Sequence, residues 1–408
     1  MSDEEVTKRQ AAVLARPGYR RLWAARTVSQ WGDVIQFTTV ALLALRLTDS
    51  GVGVSGAALA EVVPLIALAP LAGPLVDRLP RVKVMVSADL VRMVLAAVLA
   101  VFHGQIAVVY AVAFGLSAGS AFFNPAAGSL LPSLVGDDQL VAANSGIWSA
   151  AVLSQVVLAP VAGLLAATIG YGAAFGLNAA SFAASAALLV GLRSGEAPRP
   201  VAATSMWVQG RQALGYVAAD RLLRALAVAQ ALAALSAGAT SALLVVLVRR
   251  HLHASTTGYG LAVAAIGVGA FVGPLVLSRL PAGRRHAPIV FGAFGLRGLV
   301  DLALATVRVL PAALGALGAY GFGTSTGNVS FSSLIQSHVP DDKRGRLFSA
   351  FDLVWHSARL VSIAAGGAIA DAYGIRVVYY LGGSLLLLGA LTGIVALRQQ
   401  IHRDPLET

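Results

Sequence analysis

Between residues 20 and 398 the chain is a succession of apolar runs, each long enough to cross a bilayer. A helix needs roughly 20 residues to span the hydrocarbon core. Apolar stretches between charged, Pro or Gly punctuation predict twelve such helices. They fall near 20–47, 54–77, 82–103, 105–132, 142–167, 170–192, 222–250, 257–279, 287–308, 311–337, 346–370 and 375–398. The runs are too long, and alternate too little, for barrel strands. Lipid is therefore the solvent for most of the chain. Composition agrees: only 12% of the 408 residues are Asp, Glu, Lys or Arg, against about 25% in soluble domains.

The net charge of +11 sits in short clusters between the apolar runs. It is thus explained by topology rather than by nucleic acid, which is not an expected partner. With the N-terminus in the cytoplasm, the outward loops hold only Arg46, Arg249, Arg250, Arg308 and Arg376, and most other Lys and Arg fall inside. That bias predicts both termini in the cytoplasm and a multi-pass protein of the cell's inner (cytoplasmic) membrane. The opening MSDEEVTKRQ lacks the layout of a cleaved signal peptide. The absence of Cys excludes disulfides, thiolate metal sites and cysteine catalysis. No Gly-rich phosphate loop ends in Gly-Lys-Ser/Thr, so ATP does not drive the chain directly. His251 and His253 have no carboxylate nearby in sequence. No metal, no cofactor and no enzymatic activity are expected.

The phrase GPLVDRLP at 73–80 returns as GPLVLSRLP at 273–281, without its Asp. Asn124 and Asn328, Gly163 and Gly367, and Gly170 and Gly374 each recur after 204 residues. Such a period predicts two parallel six-helix repeats: 1–192 with a short tail, and 222–408. A polar connector, 193–221, joins them. In it, Trp207, Leu214, Tyr216 and Val217 have the spacing of an amphipathic helix that could lie on the inner membrane surface or serve as a plain linker.

Charges inside the spans mark candidate sites, because each costs free energy in lipid. Asp33 lies roughly 20 Å along the first span, near mid-bilayer, at 1.5 Å per residue. Glu61 lies in the second span. Neither has a basic residue one helical turn away, and a carboxylate without a partner at that depth is driven toward its neutral form, as proton coupling requires. Asp89 with Arg92, and Arg297 with Asp301, have helical neighbour spacing at equivalent places in the two halves and read as structural pairs. Asp352, His356 and Arg359 share a face of the eleventh span, as a proton relay or a salt-bridged stripe.

Six residues of the second-span turn, Gly73, Leu75, Asp77, Arg78, Arg81 and Lys83, match the cytoplasmic signature Gly-x-Leu-x-Asp-Arg-x-Gly-Arg-x-Lys, with Pro80 in place of a Gly. With two six-span halves, the chain resembles the major facilitator superfamily. SQWGD in span one, FFNPAAGSLLPSLV in span four and NAASF near Asn178 resemble its macrolide-efflux and siderophore-export branch. The resemblance implies an all-α fold of two pseudo-symmetric bundles and alternating access. It implies a gate at Gly73, Asp77, Arg78 and Arg81, where Gly73 permits close helix approach and Asp77 meets the start of span eleven. It also implies a cavity lined by spans one, four, seven and ten. That points to Gln30, Trp31, Gln36, Phe37, Asn124, Gln230 and Asn328 as substrate-binding residues, with Phe122 and Phe123 adding apolar surface. Span five matches the antiporter motif only in part: Pro160 and Gly163 fit, and Ala159 replaces a Gly. The Arg expected in span four is absent, which shifts coupling to Asp33, Glu61 and His356. The expected function is proton-driven export of a bulky, largely apolar small molecule by a monomer in contact with membrane lipid. A dedicated siderophore or natural-product exporter, and a transporter-like sensor or assembly partner, are the alternatives.

Overall fold

The computed structural model describes residues 13–136, 139–192, 215–280 and 286–401. Among them every regular element is helical. The long helices are α1 (Pro17–Thr48), α2 (Gly51–Arg78), α3 (Arg81–Val101), α4 (Ile106–Leu134), α5 (Leu140–Thr168), α6 (Tyr171–Leu189), α7 (Arg221–Ala242), α8 (Thr256–Ser278), α9 (His286–Thr306), α10 (Leu310–His338), α11 (Asp341–Tyr373) and α12 (Ile375–Ile401). A short turn, Leu244–Val246, continues α7 into a π turn at Leu247–His251.

Local chemistry explains the helix limits. Pro17 opens α1, where its missing N–H is no loss. Asp49, at φ 41°, ends that helix and returns its N–H to the Leu45 carbonyl. Asp220 caps α7 by accepting the Leu223 N–H at 2.9 Å. The turns before α6 and α12 pass through Gly170 at φ 98° and Gly374 at φ 89°. Any side chain is strained there, so the recurrence of these two glycines has a backbone cause. Pro64, Pro70 and Pro74 lie inside α2, and Pro274 inside α8. Each removes a backbone donor from its helix.

Ten described helices are long and apolar enough to cross a membrane. The other two long ones, α1 and α10, fall outside that set. Thr27, Gln30, Asp33 and Gln36 run along α1, and Thr324, Thr326, Asn328 and Ser330 along α10.

The chain divides into two compact units. The first comprises Met1–Asp49, Gly56–Val201 and Thr256–Ala264, and the second Ser50–Ser55, Ala202–Ser255 and Ala265–Thr408. The opening turns of α2 and α8 are thus each grouped apart from the rest of their helix. In the first unit, Tyr19, Leu22, Met85, Phe123, Leu130 and Leu189 form a buried cluster. In the second, Leu226, Phe291, Phe294, Ile335, Leu347 and Phe351 do so. Tyr216 and Val217 pack against this second core, and Lys343 Nζ stands 4.5 Å over the Tyr216 ring. These two residues are therefore spent on protein rather than on a membrane surface. Trp207 and Leu214 lie outside the described residues.

Glycine fixes how the exchanged turns pack. A Cβ on Gly163 of α5 would stand 2.5 Å from the Thr256 carbonyl oxygen, within the first unit. In the second, a Cβ on Gly367 of α11 would stand 2.7 Å from the Gly51 carbonyl oxygen. Only a residue without a side chain allows backbones that close.

A shared arginine in the N-terminal unit, a split pair in the C-terminal unit

Four helices of the first unit converge on Arg92. This guanidinium is only 1% exposed. Along α3 it contacts Asp89 directly, three residues before it. From α1, Ser29 Oγ accepts from its Nη2 at 3.0 Å, and from α4, Ser120 Oγ accepts from Nη1 at 3.1 Å. The Phe123 and Phe182 rings face it with centroids at 4.7 and 4.3 Å, where their π-faces favour a cation. Gly119 leaves room for its stem: a Cβ there would meet Arg92 Cγ at 2.7 Å. Asp89 is closed off as well, since its Oδ2 accepts from Ser185 Oγ of α6 at 2.6 Å.

Asp33 completes the group from α1, with Oδ1 3.6 Å from Arg92 Nη1 and its side chain 37% exposed. The sequence predicted an acid without a basic partner, and the structure corrects that. The partner comes from α3, beyond the reach of a reading confined to one helix. Two carboxylates thus share one guanidinium. One is buried and fully bonded. The other is open and only loosely paired.

The second unit repeats the arginine but not the pair. Arg297 on α9 is 4% exposed, and a Cβ on Gly323 of α10 would meet its Cγ at 3.0 Å. Gly119 and Gly323 recur at the same 204-residue period. Yet Arg297 turns to Tyr320 of α10, donating from Nη2 to the hydroxyl at 2.9 Å with the ring centroid 4.8 Å from its Cζ. Asp301 instead accepts from Ser236 Oγ of α7 at 3.1 Å. The expectation of an internally neutralised pair fails here because helical side chains lean toward the N-terminus. Arg92 leans back onto Asp89. Arg297, placed before its acid, leans away from Asp301.

Other expected site residues separate by their surroundings. Gln36 is buried and its Oε1 accepts from Asn178 Nδ2 at 2.9 Å, so it binds α1 to α6 and leaves the cavity set. Phe123 leaves the expected apolar lining for the same reason, being buried against Arg92. Trp31, Phe37, Asn124 and Asn328 are exposed, and Gln30, Gln230 and Phe122 are half-buried. Glu61 is half-buried on α2, where its charge acts on the buried Tyr259; it is engaged rather than free. Among the described residues no hydrogen bond or ion pair joins Asp352, His356 and Arg359 into a relay. Asp352 is exposed, His356 Nδ1 is buried without a partner, and Arg359 is engaged. At the second-helix turn, a Cβ on Gly73 would meet nothing within 4 Å, whereas one on Gly273 would meet Ser325 Oγ at 2.1 Å. Close packing thus belongs to the second copy, and Gly73 is not needed for helix approach. Asp77 is half-buried and Arg78 exposed; Arg81 is half-buried, with Nε sealed and unpartnered.

One acid escaped the sequence reading. Asp371, in the last turns of α11, accepts from the Gly51 N–H at 2.6 Å, the Val52 N–H at 2.9 Å and Ser50 Oγ at 2.9 Å, with Arg250 Nη1 3.9 Å away. Nothing local in the sequence signals this, because the helix it caps begins 320 residues earlier.

Membrane-length helices packed through glycine, with an arginine buried against carboxylates, fit a membrane transporter of the major facilitator type. A solved bacterial homologue of the iron transporter ferroportin has the same fold, with a TM-score of 0.74 at 19% identity, over 93% of this chain and 98% of that one. The chain belongs to the transmembrane secretion effector family, whose model matches residues 9–405. It is 27% identical to the multidrug efflux pump Tap of Mycolicibacterium fortuitum, over 91% of this chain and 93% of Tap. It is also 32% identical to macrolide efflux protein A of Streptococcus pyogenes, over 35% of this chain and 36% of that protein.

Proposed function

We propose that this protein exports a bulky, largely apolar small molecule in exchange for protons, by alternating access. In this reading all twelve long helices cross the inner membrane and both termini lie in the cytoplasm. One observation carries the coupling. Arg92 answers two carboxylates, so the group of Asp33, Asp89 and Arg92 holds one negative charge in excess. Like charges around one cation compete, and one proton relieves the competition. Asp89 is sealed by Ser185, while Asp33 is open, so Asp33 is where protons and substrate alternate. The efflux relatives support the direction of transport, and a macrolide is the first substrate to try.

The test is proton release on macrolide binding to the purified protein, titrated from about pH 5 to 9 across the carboxylate and histidine ranges. The parent should release protons, and Asp33→Asn should not, while still exchanging a neutral substrate downhill in liposomes. Equal release by both proteins would move coupling away from Asp33, to Glu61 or His356. Absence of binding and counterflow for every compound tried would favour a sensor.

Asp77 is the gating residue of this reading. Asp77→Asn should lower transport and raise cytoplasmic labelling of introduced cysteines, for which the Cys-free chain gives a clean background. Unchanged labelling removes Asp77 from the gate. Reporters fused after residue 137, within 193–221 and after residue 403 should all report cytoplasm.

A further inference from the structure

The C-terminal unit contains a buried acid that the coupling at Asp33 does not use. Asp301 is 1% exposed. Ser236 satisfies its Oδ2, but Oδ1 is sealed from solvent and has no hydrogen-bond partner among the described residues. Beside it lies a cavity of about 30 Å³, lined by Asp301, Thr240, Ser241, Tyr320 and Tyr379 among aliphatic side chains. Its wall is almost wholly apolar.

The neighbours cannot satisfy Oδ1 as they stand. The Tyr379 hydroxyl donates to the Thr240 carbonyl, Thr240 Oγ1 to the Ser236 carbonyl, and Ser241 Oγ to the Ala237 carbonyl. The Tyr320 hydroxyl accepts from Arg297. Arg297 Nε is also sealed and unpartnered. The charged and titratable groups facing the site are Arg297 on the same helix, Tyr320 from α10 and Tyr379 from α12. Helix α7 offers only the hydroxyls of Ser236, Thr240 and Ser241, and Arg376 of α12 is held at the Ala305 carbonyl one turn further on.

We propose that Asp301, through its buried and unsatisfied Oδ1, is a proton-binding site in the C-terminal unit, separate from Asp33. A hydronium from bulk solvent gives up one proton, which forms an O–H bond at Asp301 Oδ1, and a water remains. In the ionised state the charge of Asp301 is offset only at a distance by Arg297 on the same helix, which bonds Tyr320 instead. In the protonated state Arg297 keeps its hydrogen bond to Tyr320 and the face of that ring, so the cation is not left bare. A metal cation is disfavoured, because Arg297 on the same helix already supplies positive charge. The proposal rests on the transport reading only for what the proton accomplishes, since binding of the proton needs no substrate.

Infrared difference spectroscopy between pH 5 and 9, on the full chain in detergent without substrate, tests it. A protonated-carboxyl band should rise at the acid end, shift in D₂O, persist in Asp33→Asn and vanish in Asp301→Asn. Ser236→Ala, which removes a donor without adding bulk, should move that band while the fold is kept, and it carries the test if Asp301→Asn does not fold. The proposal is overturned if no such band rises, if Asp301→Asn retains it, or if Ser236→Ala leaves it unmoved. Because no transport is measured, a failed export assay leaves this result standing, and the reverse holds too.

Discussion

The carboxylate of Asp371, near the end of α11, accepts the backbone N–H of Gly51, the first residue of α2, at 2.6 Å. A carboxylate at a helix start satisfies orphan donors and meets the positive end of the helix dipole. Asp371→Ala should therefore destabilise the protein by about 1–2 kcal/mol, read as a lower thermal midpoint in detergent. Asp371→Asn should lose less. Equal midpoints for the parent and the Ala variant would mean that water caps α2 as well as Asp371 does.

Arg92 is held by charge and by packing at once. Arg92→Ala leaves Asp89 buried without its cation, and breaking a buried pair from one side costs about 3–5 kcal/mol. Adding Asp89→Asn removes the stranded charge, so the double variant should regain much of that loss. A double variant no better than Arg92→Ala alone would assign the loss to the two phenylalanine contacts.

Gly163 and Gly367 face backbone carbonyls at 2.5 and 2.7 Å from an added Cβ. Carbonyls cannot rotate aside as a flexible side chain can. Gly163→Ala and Gly367→Ala should each lower the thermal midpoint, and should do so more than Gly73→Ala, whose Cβ meets open space. If Gly73→Ala proved as harmful as the other two, steric contact would not be the cause.

Asp220 carries a pH dependence outside the spans. Burial pushes its carboxyl up, but the Leu223 N–H and the His338 ring, 2.9 Å away, outweigh it and hold the group below the ordinary carboxylate range. A group depressed in the folded state contributes stability above its unfolded value, about 3.9, and loses it as pH falls through the folded one. Asp220→Asn should thus be less stable than the parent at pH 7, and the gap should close toward pH 3. Both side chains are about one-third exposed, so added salt should also narrow it. A gap constant in pH and salt would assign the effect to helix capping alone.

The all-helical character and the buried charges were legible in the sequence because each leaves a local mark: a long apolar run, an ion out of place. The partners of those charges were not. Asp33 finds Arg92 on another helix, and no spacing rule within α1 reveals that. The order of charges along α3 and α9 was legible in principle: acid before base closes the pair, and base before acid opens it. Gly170 and Gly374 were visible as a repeat, and their positive φ supplies the reason. Gly73 misled, because its phrase is shared with Gly273 while the close contact belongs only to the copy.

The cap on α2 also has a consequence in time. A ribosome finishes Gly51 and Val52 long before it reaches Asp371, 320 and 319 residues later. Until then the first donors of α2 must be met by water or headgroups at the membrane edge. The opening turn of that helix is therefore among the last parts of the protein able to reach its final bonding. A chain truncated before residue 371 should insert its early helices and still leave the start of α2 open to protease.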